Sequence, residues 1–154
     1  MTNLAFAQQN VFQPHLARII RTLPQIDEHK LFQLKFESED VARNFAFRPG
    51  QFVEMSVIGT GEAPISISSS PTRPETIELC VRKIGRVTNA LHNLPLNALV
   101  GIRGPYGNGF PVEQFEGNNL LLIAGGLGMA ALRSLLWYAL DNRPKFKDII
   151  LMYG

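Results

Sequence analysis

Apolar and polar residues alternate along much of the first two thirds of the chain, and this period of two is typical of half-buried β-strands. Residues 31–36 place phenylalanine and leucine side chains on one face and Gln33 and Lys35 on the other, and residues 77–82 repeat the pattern. Five or six short strands of this kind predict a closed or nearly closed antiparallel barrel, because closure removes the exposed edges of an open sheet. Further strands are predicted at residues 15–22, 51–58 and 98–103.

The pattern changes after residues 117–119. Residues 120–124 are continuously apolar, which predicts a strand buried on both faces of a parallel sheet. Residues 129–140 predict a helix and residues 148–153 a second buried strand, so the segment forms one βαβ unit. Because a parallel sheet needs several such units, we expect the chain to be a fragment, or to be completed by something else.

Composition narrows the classes of function. The 15 basic and 13 acidic residues give a net charge of +2, and the scattered basic residues argue against nucleic acid as the partner. No apolar run approaches the roughly 20 residues of a membrane span. The first 13 residues lack the features of a secretion signal, so a cytoplasmic location is expected. With Cys80 as its one cysteine, this chain alone builds neither a disulfide nor a thiolate-ligated iron–sulfur cluster, and we expect no metal site in it.

Two glycine corners carry candidate anion-binding chemistry. Residues 125–129 join the buried strand to its helix, where glycines let the backbone approach a pyrophosphate and the helix N-terminus attracts it. Residues 85–89 join a strand to a short helix, for which Thr88 is the predicted N-cap, with Arg82, Lys83 and Arg86 as nearby cations. The alternatives are a structural glycine turn and an ordinary capped helix with solvated basic side chains.

Two further motifs have polar backbone and hydroxyl groups. Residues 48–52 and 63–70 combine a proline-led turn with a serine-rich strand, whose amides and hydroxyls suit the edge of a planar heterocycle. Residues 103–111 form a long glycine-containing turn. The alternatives are an ordinary turn with an edge strand, and a hinge between domains.

The order of these motifs resembles the ferredoxin–NADP reductase superfamily. Residues 48–52 are similar to its R-P-G-Q-F strand entry, and residues 66–69 to the end of its R-x-Y-S-I-x-S flavin motif. Residues 85–91, 104–110 and 125–128 are similar to its pyrophosphate turn, its G-P-x-G-x-x-F connection and its nicotinamide loop. The likeness is closest to the electron-transfer subunits of anaerobic sulfite reductase, cytoplasmic hydrogenase (sulfhydrogenase) and dihydroorotate dehydrogenase.

The resemblance implies a fold and a set of cofactors. The fold is an all-β, antiparallel, six-stranded Greek-key FAD-binding barrel at residues 1–112, followed at residues 113–154 by the first βαβ unit of a truncated Rossmann-like NAD(P)-binding domain. The implied activity is NAD(P)H-dependent flavin oxidoreduction, with Ser66 as the catalytic residue beside flavin N5. The resemblance assigns cofactor binding to Pro64, Ile65, Ser66, Ile67, Val81, Arg82, Lys83, Gly85, Arg86, Val87, Thr88, Asn89, Gly125, Gly126, Leu127, Gly128 and Met129.

The resemblance also implies parts beyond this chain. The nicotinamide site is expected to be incomplete, a [2Fe–2S] cluster is expected only after residue 154, and this fragment alone is expected to be inactive. The implied partners are iron–sulfur and catalytic subunits of a multi-subunit redox complex. The superfamily's flavin-motif arginine and tyrosine fall at Ala63 and Ile65, so flavin affinity would depend more on residues 85–89. The alternative is a non-catalytic binding or assembly module with a decayed flavin site.

Overall fold

The computed structural model describes residues 12–154. Residues 1–11, which hold most of the segment assessed for a secretion signal, lie outside the described residues. The antiparallel strands in the described part are β1 (His15–Pro24), β2 (His29–Phe36), β3 (Phe52–Val57), β4 (Gly61–Ser66), β5 (Ile77–Arg82) and β6 (Leu99–Tyr106). They form one sheet in the spatial order β4-β3-β6-β1-β2-β5.

The segment that follows β4 closes this sheet into a barrel. Ile67 forms an antiparallel bridge to β5, and the Ser68 N–H donates to the Glu78 carbonyl at 2.8 Å. The Ser69 hydroxyl accepts from the Glu78 N–H at 3.0 Å, and the Ser68 hydroxyl accepts from the Cys80 N–H at 3.3 Å. The two end strands of the sheet are therefore joined, as the strand pattern predicts. We call Ile67, Ser68 and Ser69 the closing segment.

The barrel interior is filled by the apolar side chains that the alternating pattern places inward. In β3 and β5 every second side chain is buried, so the two faces of each strand differ sharply. Burying one such side chain contributes roughly 1.5–3 kcal/mol to folding. The largest fully buried side chains of the barrel include Ile19, Phe32, Leu34, Met55, Ile67, Leu79 and Ile102.

One helix of the barrel was not predicted. It is α1 (Glu39–Asn44), which follows β2. Ser38 is its N-cap, and its hydroxyl accepts a hydrogen bond from the Val41 N–H at 3.4 Å. Val41 is its one buried residue, so a helix of this length gives too little apolar periodicity for prediction.

A second short helix, α2 (Arg86–His92), begins three residues earlier than the predicted N-cap implies. Gly85 is the N-cap, so the assignment of this role to Thr88 is wrong. Thr88 instead lies in the first turn, where its hydroxyl accepts from the Ile84 and Gly85 N–H groups at 3.0 and 2.9 Å. A threonine that binds back to the preceding turn resembles an N-cap in sequence, which explains the shift.

The C-terminal part contains the predicted βαβ unit. It consists of β7 (Leu120–Ala124), α3 (Met129–Asp141) and β8 (Ile149–Tyr153), and the two strands are parallel. The prediction that β7 is buried on both faces is wrong for the described residues, because α3 covers only one face of the sheet. On the other face, Leu121 and Ile123 are 53% and 67% exposed.

The equivalent prediction for β8 is also wrong, since its last four residues are exposed within the described part of the chain. Short 3₁₀ turns lie at Val112–Gln114, Gly126–Gly128 and Arg143–Lys145. No helix among the described residues is long and apolar enough to span a membrane.

Two glycine-containing turns that are far apart in sequence pack against each other. The Pro49 carbonyl accepts a hydrogen bond from the Phe110 N–H at 2.7 Å. At Gly109 φ is +70°, and an added Cβ would lie 2.7 Å from the Arg48 Cβ and 3.0 Å from the Pro49 carbonyl oxygen. The contact holds the turn before β3 against the connection that leads from the barrel to β7.

We expect Gly109→Ala to lower the free energy of unfolding by about 1–3 kcal/mol more than Gly59→Ala, because it adds a steric clash. The two glycines have φ values of +70° and +79°, so both variants incur a left-handed backbone penalty, but nothing lies within 4 Å of a Cβ at Gly59. Urea unfolding of both variants measures the difference. Equal destabilisation would contradict the packing of the two turns.

Candidate cofactor cleft

A cleft of about 670 Å³ lies where β4, β5, the start of α2 and the glycine loop before α3 meet. Its volume falls within the roughly 300–1,000 Å³ typical of ligand sites. The cleft brings together predicted residues from three motifs that are distant in sequence. These residues are Pro64, Ile65, Ser66, Val81, Arg82, Gly85, Arg86, Val87, Thr88, Leu127 and Gly128.

The remaining predicted residues lie elsewhere. Ile67 is fully buried in the barrel core. Lys83 and Asn89 flank the cleft without lining it, and the Asn89 side-chain amide donates to the Gly85 carbonyl at 2.8 Å. Gly125 also does not line it. Gly126 and Met129 instead line a second cleft of about 350 Å³, which Leu127 shares.

The cleft also has lining residues that were not assigned to it from the sequence. Most of them have small or apolar side chains, whose residue type alone does not indicate a binding role. Their positions in the cleft follow only from the geometry of the strands. The outward face of β5 shows this, because Glu78, Cys80 and Arg82 alternate with its buried residues. The additional lining residues are Ala63, Cys80, Ile84, Ala130 and Ala131.

The polar groups of the turn before α2 are hydrogen-bonded within the turn, whereas the first N–H groups of the helix have no side-chain cap. Besides accepting from the two preceding N–H groups, Thr88 Oγ1 donates to the Gly85 carbonyl at 3.1 Å. Gly85 has no side chain with which to cap the helix, and an added Cβ there would meet nothing within 4 Å. The first N–H groups of a helix have no intrahelical acceptor. Those of Arg86 and Val87 therefore remain for an anion in the cleft.

Positive charge surrounds this helix terminus. Arg82 and Arg86 line the cleft and are exposed. Among the described residues neither guanidinium forms an ion pair with a carboxylate. Open N–H groups beside unpaired guanidinium groups form a suitable site for a phosphate or diphosphate.

His92 holds the other end of α2 against the barrel. Its Nε2 donates to the Val81 carbonyl at 2.9 Å, and its ring meets the Phe32 ring edge-on at 5.4 Å. The Lys30 ammonium donates to the His92 carbonyl at 3.0 Å. Burial lowers the pKa of His92 below its ordinary value. The role of this histidine is therefore to pack α2 against the barrel.

Polar contacts join α3 to the barrel beside the cleft. The Arg133 guanidinium donates to the Ser68 carbonyl at 2.8 Å and to the Glu78 carboxylate at 2.5 Å. The Ser134 hydroxyl donates to the Ser69 carbonyl at 2.6 Å. The sequence of α3 has the pattern of an ordinary apolar helix, so these interdomain contacts were not predicted.

Cys80 lies beside these contacts and lines both clefts. Burial raises the pKa of its thiol, and the nearby Arg133 charge offsets part of this rise. The thiol is therefore held in its neutral form and contributes an apolar surface to the clefts.

The comparison with protein families finds one matching domain. Residues 26–110 match the oxidoreductase FAD-binding domain family, and this range includes the five strands β2 to β6, α2 and the closing segment. All of the cleft residues from the barrel fall within it.

The chain is also similar to electron-transfer subunits. It is 52% identical over 145 residues to sulfhydrogenase 2 subunit gamma of Pyrococcus furiosus, with 94% of this chain and 50% of the relative covered. It is 37% identical over 114 residues to a probable dihydroorotate dehydrogenase B (NAD(+)) electron transfer subunit of the same organism, covering 74% and 40%. The chain spans about half the length of the curated relatives it matches.

Solved structures share the fold. The flavohem-like FAD/NAD binding domain of nitric oxide dioxygenase from Vibrio cholerae matches with a TM-score of 0.78 and 18% identity, covering 92% of this chain and 62% of that one. The ferredoxin–NADP+ reductase of Plasmodium falciparum matches with a TM-score of 0.72 and 18% identity, covering 92% and 58%. The predicted architecture, a six-stranded barrel followed by the start of a Rossmann-like domain, is confirmed.

We expect Thr88→Val to lower the free energy of unfolding by about 1–2 kcal/mol, because two backbone N–H groups lose their acceptor while the side-chain volume is kept. Thr88→Ser keeps the hydroxyl and is the matched control. Urea unfolding of the two variants tests the role of the hydroxyl, and equal stability would contradict it.

The lowered pKa of His92 predicts a pH dependence. Below its ordinary value of 6.5, the unfolded chain takes up this proton more readily than the folded chain does. His92 therefore contributes stability above that pH that is lost as the pH falls through the folded pKa. His92→Gln removes this contribution, so its unfolding midpoint is expected to change less than that of the wild type between about pH 7.5 and 5.5. Identical pH profiles would show that His92 is not the group responsible.

Proposed function

Because this chain belongs to the oxidoreductase FAD-binding domain family, we propose that its cleft binds FAD and that the intact protein carries electrons between NAD(P)H and an iron–sulfur partner. The observation that carries this proposal is the meeting of the end of β4, the uncapped start of α2 and the glycine loop around one cleft. The resemblance to ferredoxin–NADP reductases and hydrogenase electron-transfer subunits, now confirmed, supports the same assignment.

The start of α2 is the proposed site of the FAD diphosphate. Its free N–H groups at Arg86 and Val87 and the Arg82 and Arg86 guanidinium groups supply both hydrogen bonds and charge. Gly85 leaves open space at this point, since a Cβ there would meet no other atom. The site therefore compensates for the superfamily's phosphate-binding arginine, whose position is taken by Ala63.

The end of β4 is the proposed wall for the flavin ring. Pro64, Ile65 and Ser66 line the cleft there, and the Ser66 hydroxyl is available as a hydrogen-bond donor or acceptor at the ring edge. When bound there, FAD would supply the redox chemistry, namely acceptance of a hydride (two electrons with one proton) from NAD(P)H and single-electron transfer to an iron–sulfur acceptor. The proposed role of the chain itself is to position the ring and to bind the diphosphate.

The glycine loop is the proposed nicotinamide contact. Leu127 and Gly128 line the flavin cleft, while Gly126 and Met129 face the second cleft beside Tyr153. The loop thus lies between the two clefts, at the N-terminus of α3. This placement supports delivery of a reduced nicotinamide towards the flavin ring.

The intact protein is proposed to contain more than this chain. We assign residues 1–112 to the FAD-binding domain and residues 113–154 to the first part of the NAD(P)-binding domain. Two separate core clusters support two domains, and Phe110 and Val112 at the end of the first range already pack in the second cluster. The rest of the nicotinamide site, a [2Fe–2S] cluster and the iron–sulfur and catalytic subunits are assigned to the remainder of the complex. The chain alone is expected to lack NAD(P)H oxidation.

A second function is a binding or assembly module with a decayed flavin site. Ala63 and Ile65 favour it, because they remove a charge and an aromatic ring from the cleft. The two functions differ in FAD affinity. Equilibrium dialysis of the full chain is expected to give a micromolar or tighter dissociation constant and one FAD per chain, whereas a millimolar value would favour the module.

We expect Gly85→Ser to weaken FAD binding by about 10-fold or more while leaving the FAD-free protein as stable as the wild type. At φ −131° any residue fits the backbone, and a serine hydroxyl would cap the N–H groups that the diphosphate needs. Dialysis and urea unfolding measure the two effects separately. Unchanged FAD affinity in a folded Gly85→Ser variant would place the diphosphate away from α2.

A further inference from the structure

We propose that Arg133 and Glu78 are positioning residues that set the nicotinamide loop at its working distance from the flavin-binding end of β4. This inference rests on the proposed function, because it assigns how the two halves of that site are held together. Neither residue lines the flavin cleft, and Arg133 lines the second cleft, so Glu78 is the residue of the pair that lines neither. Their proposed role is to join the elements to which they belong, α3 and β5.

One guanidinium nitrogen of Arg133 contacts two acceptors on the barrel. It donates to the Ser68 carbonyl at 2.8 Å and to Glu78 Oε2 at 2.5 Å. The side chains of Arg133 and Glu78 are only 25% and 21% exposed. A charge-assisted hydrogen bond with this degree of burial is stronger and more directional than an exposed surface pair.

Both acceptors belong to the junction that closes the barrel. The Ser68 N–H is itself bound to the Glu78 carbonyl, so Arg133 contacts the two strands where they join. Ser68 follows Ser66 by two residues, and Ser66 is the cleft residue at the end of β4. A displacement of Arg133 would therefore act directly on the strand end that is proposed to face the flavin ring.

On the other side, Arg133 is close to the glycine loop. It lies five residues after Gly128, which corresponds to about 7.5 Å along a helix. The loop begins α3 without an N-terminal side-chain cap. Its backbone hydrogen bonds run to Gly154, from the Gly126 N–H at 3.1 Å, and within the loop, from the Gly128 N–H to the Gly125 carbonyl at 3.0 Å. Arg133 is thus the nearest charged anchor between the loop and the barrel.

A second anchor holds the far end of α3. The Arg73 guanidinium donates to both carboxylate oxygens of Asp141 at 2.7 and 3.1 Å. Between the anchors, Trp137 lies 4.4 Å from the Arg73 guanidinium and 5.8 Å from that of Arg133. Asp141 is eight residues beyond Arg133, about 12 Å along the helix. Loss of the first anchor would leave the loop end of α3 held to the barrel by the neutral Ser134–Ser69 hydrogen bond without the ion pair, so this end would be less restrained.

The test uses the full-length protein with FAD bound and the variant Glu78→Gln. Glutamine keeps the shape of the side chain and removes its charge. Glu37→Gln is the matched control. Glu37 also forms a hydrogen-bonded ion pair with an arginine, Arg18, but both of these residues belong to the barrel and neither bonds to α3. Flavin content, the rate of flavin reduction by NADH or NADPH, and reduction by dithionite are measured for each protein.

Glu78→Gln is expected to retain FAD and normal reduction by dithionite but to be reduced by the nicotinamide about 10-fold to 100-fold more slowly. Hydrogen exchange of the FAD-free protein is expected to be faster than in the control at residues 129–133, which are helical beside the loop. Glu37→Gln is expected to match the wild type in both measurements. A Glu78→Gln variant that also matches the wild type in both would overturn the proposal.

Arg133→Lys provides a second test if Glu78→Gln does not fold. Lysine keeps the charge beside Glu78 but lacks the planar guanidinium, so an intermediate rate and intermediate exchange are expected. If Arg133→Lys then matched the wild type in both the rate of flavin reduction and hydrogen exchange, the proposal would be overturned. If the wild type itself binds no FAD, or is not reduced by either nicotinamide, the proposed function fails, while hydrogen exchange still tests the anchor.

Discussion

The closure of the barrel by backbone hydrogen bonds to β5 is the constraint on which the other features depend. Ile67 and Ser68 continue the chain from β4 onto β5, so the end of one edge strand is fixed beside the other. That closure brings the end of β4 next to the strand that leads into α2, which creates the cleft. It also presents the Ser68 carbonyl and the Glu78 carboxylate outward, where α3 contacts them.

The cleft suits an anion because the polar groups of the turn before α2 are hydrogen-bonded to one another, while the first N–H groups of the helix are uncapped. At the start of α2, Thr88 and Asn89 satisfy the groups of the turn itself, which fixes the backbone without help from a ligand. Gly85 leaves the next N–H groups uncapped. The site is therefore largely pre-formed, and binding would require little ordering of the chain.

Much of the barrel and part of the cleft could be predicted from the sequence, because period-two strands and glycine corners are local signals. The residues around Gly85 and Ser66 were found for this reason. The contacts of Arg133 were not, since the pairing of a helix with a distant strand leaves no local pattern. The single covered face of β7 was missed as well, because continuous apolarity does not reveal which faces a neighbouring element covers.

The most direct test of the account is whether the open N–H groups of α2 bind the FAD diphosphate. Amide chemical shifts of Arg86 and Val87 can be followed by NMR while FAD, or riboflavin without the diphosphate, is added. The account predicts large shifts at these two amides with FAD and much smaller ones with riboflavin. Equal shifts with both ligands, or none with FAD, would contradict it.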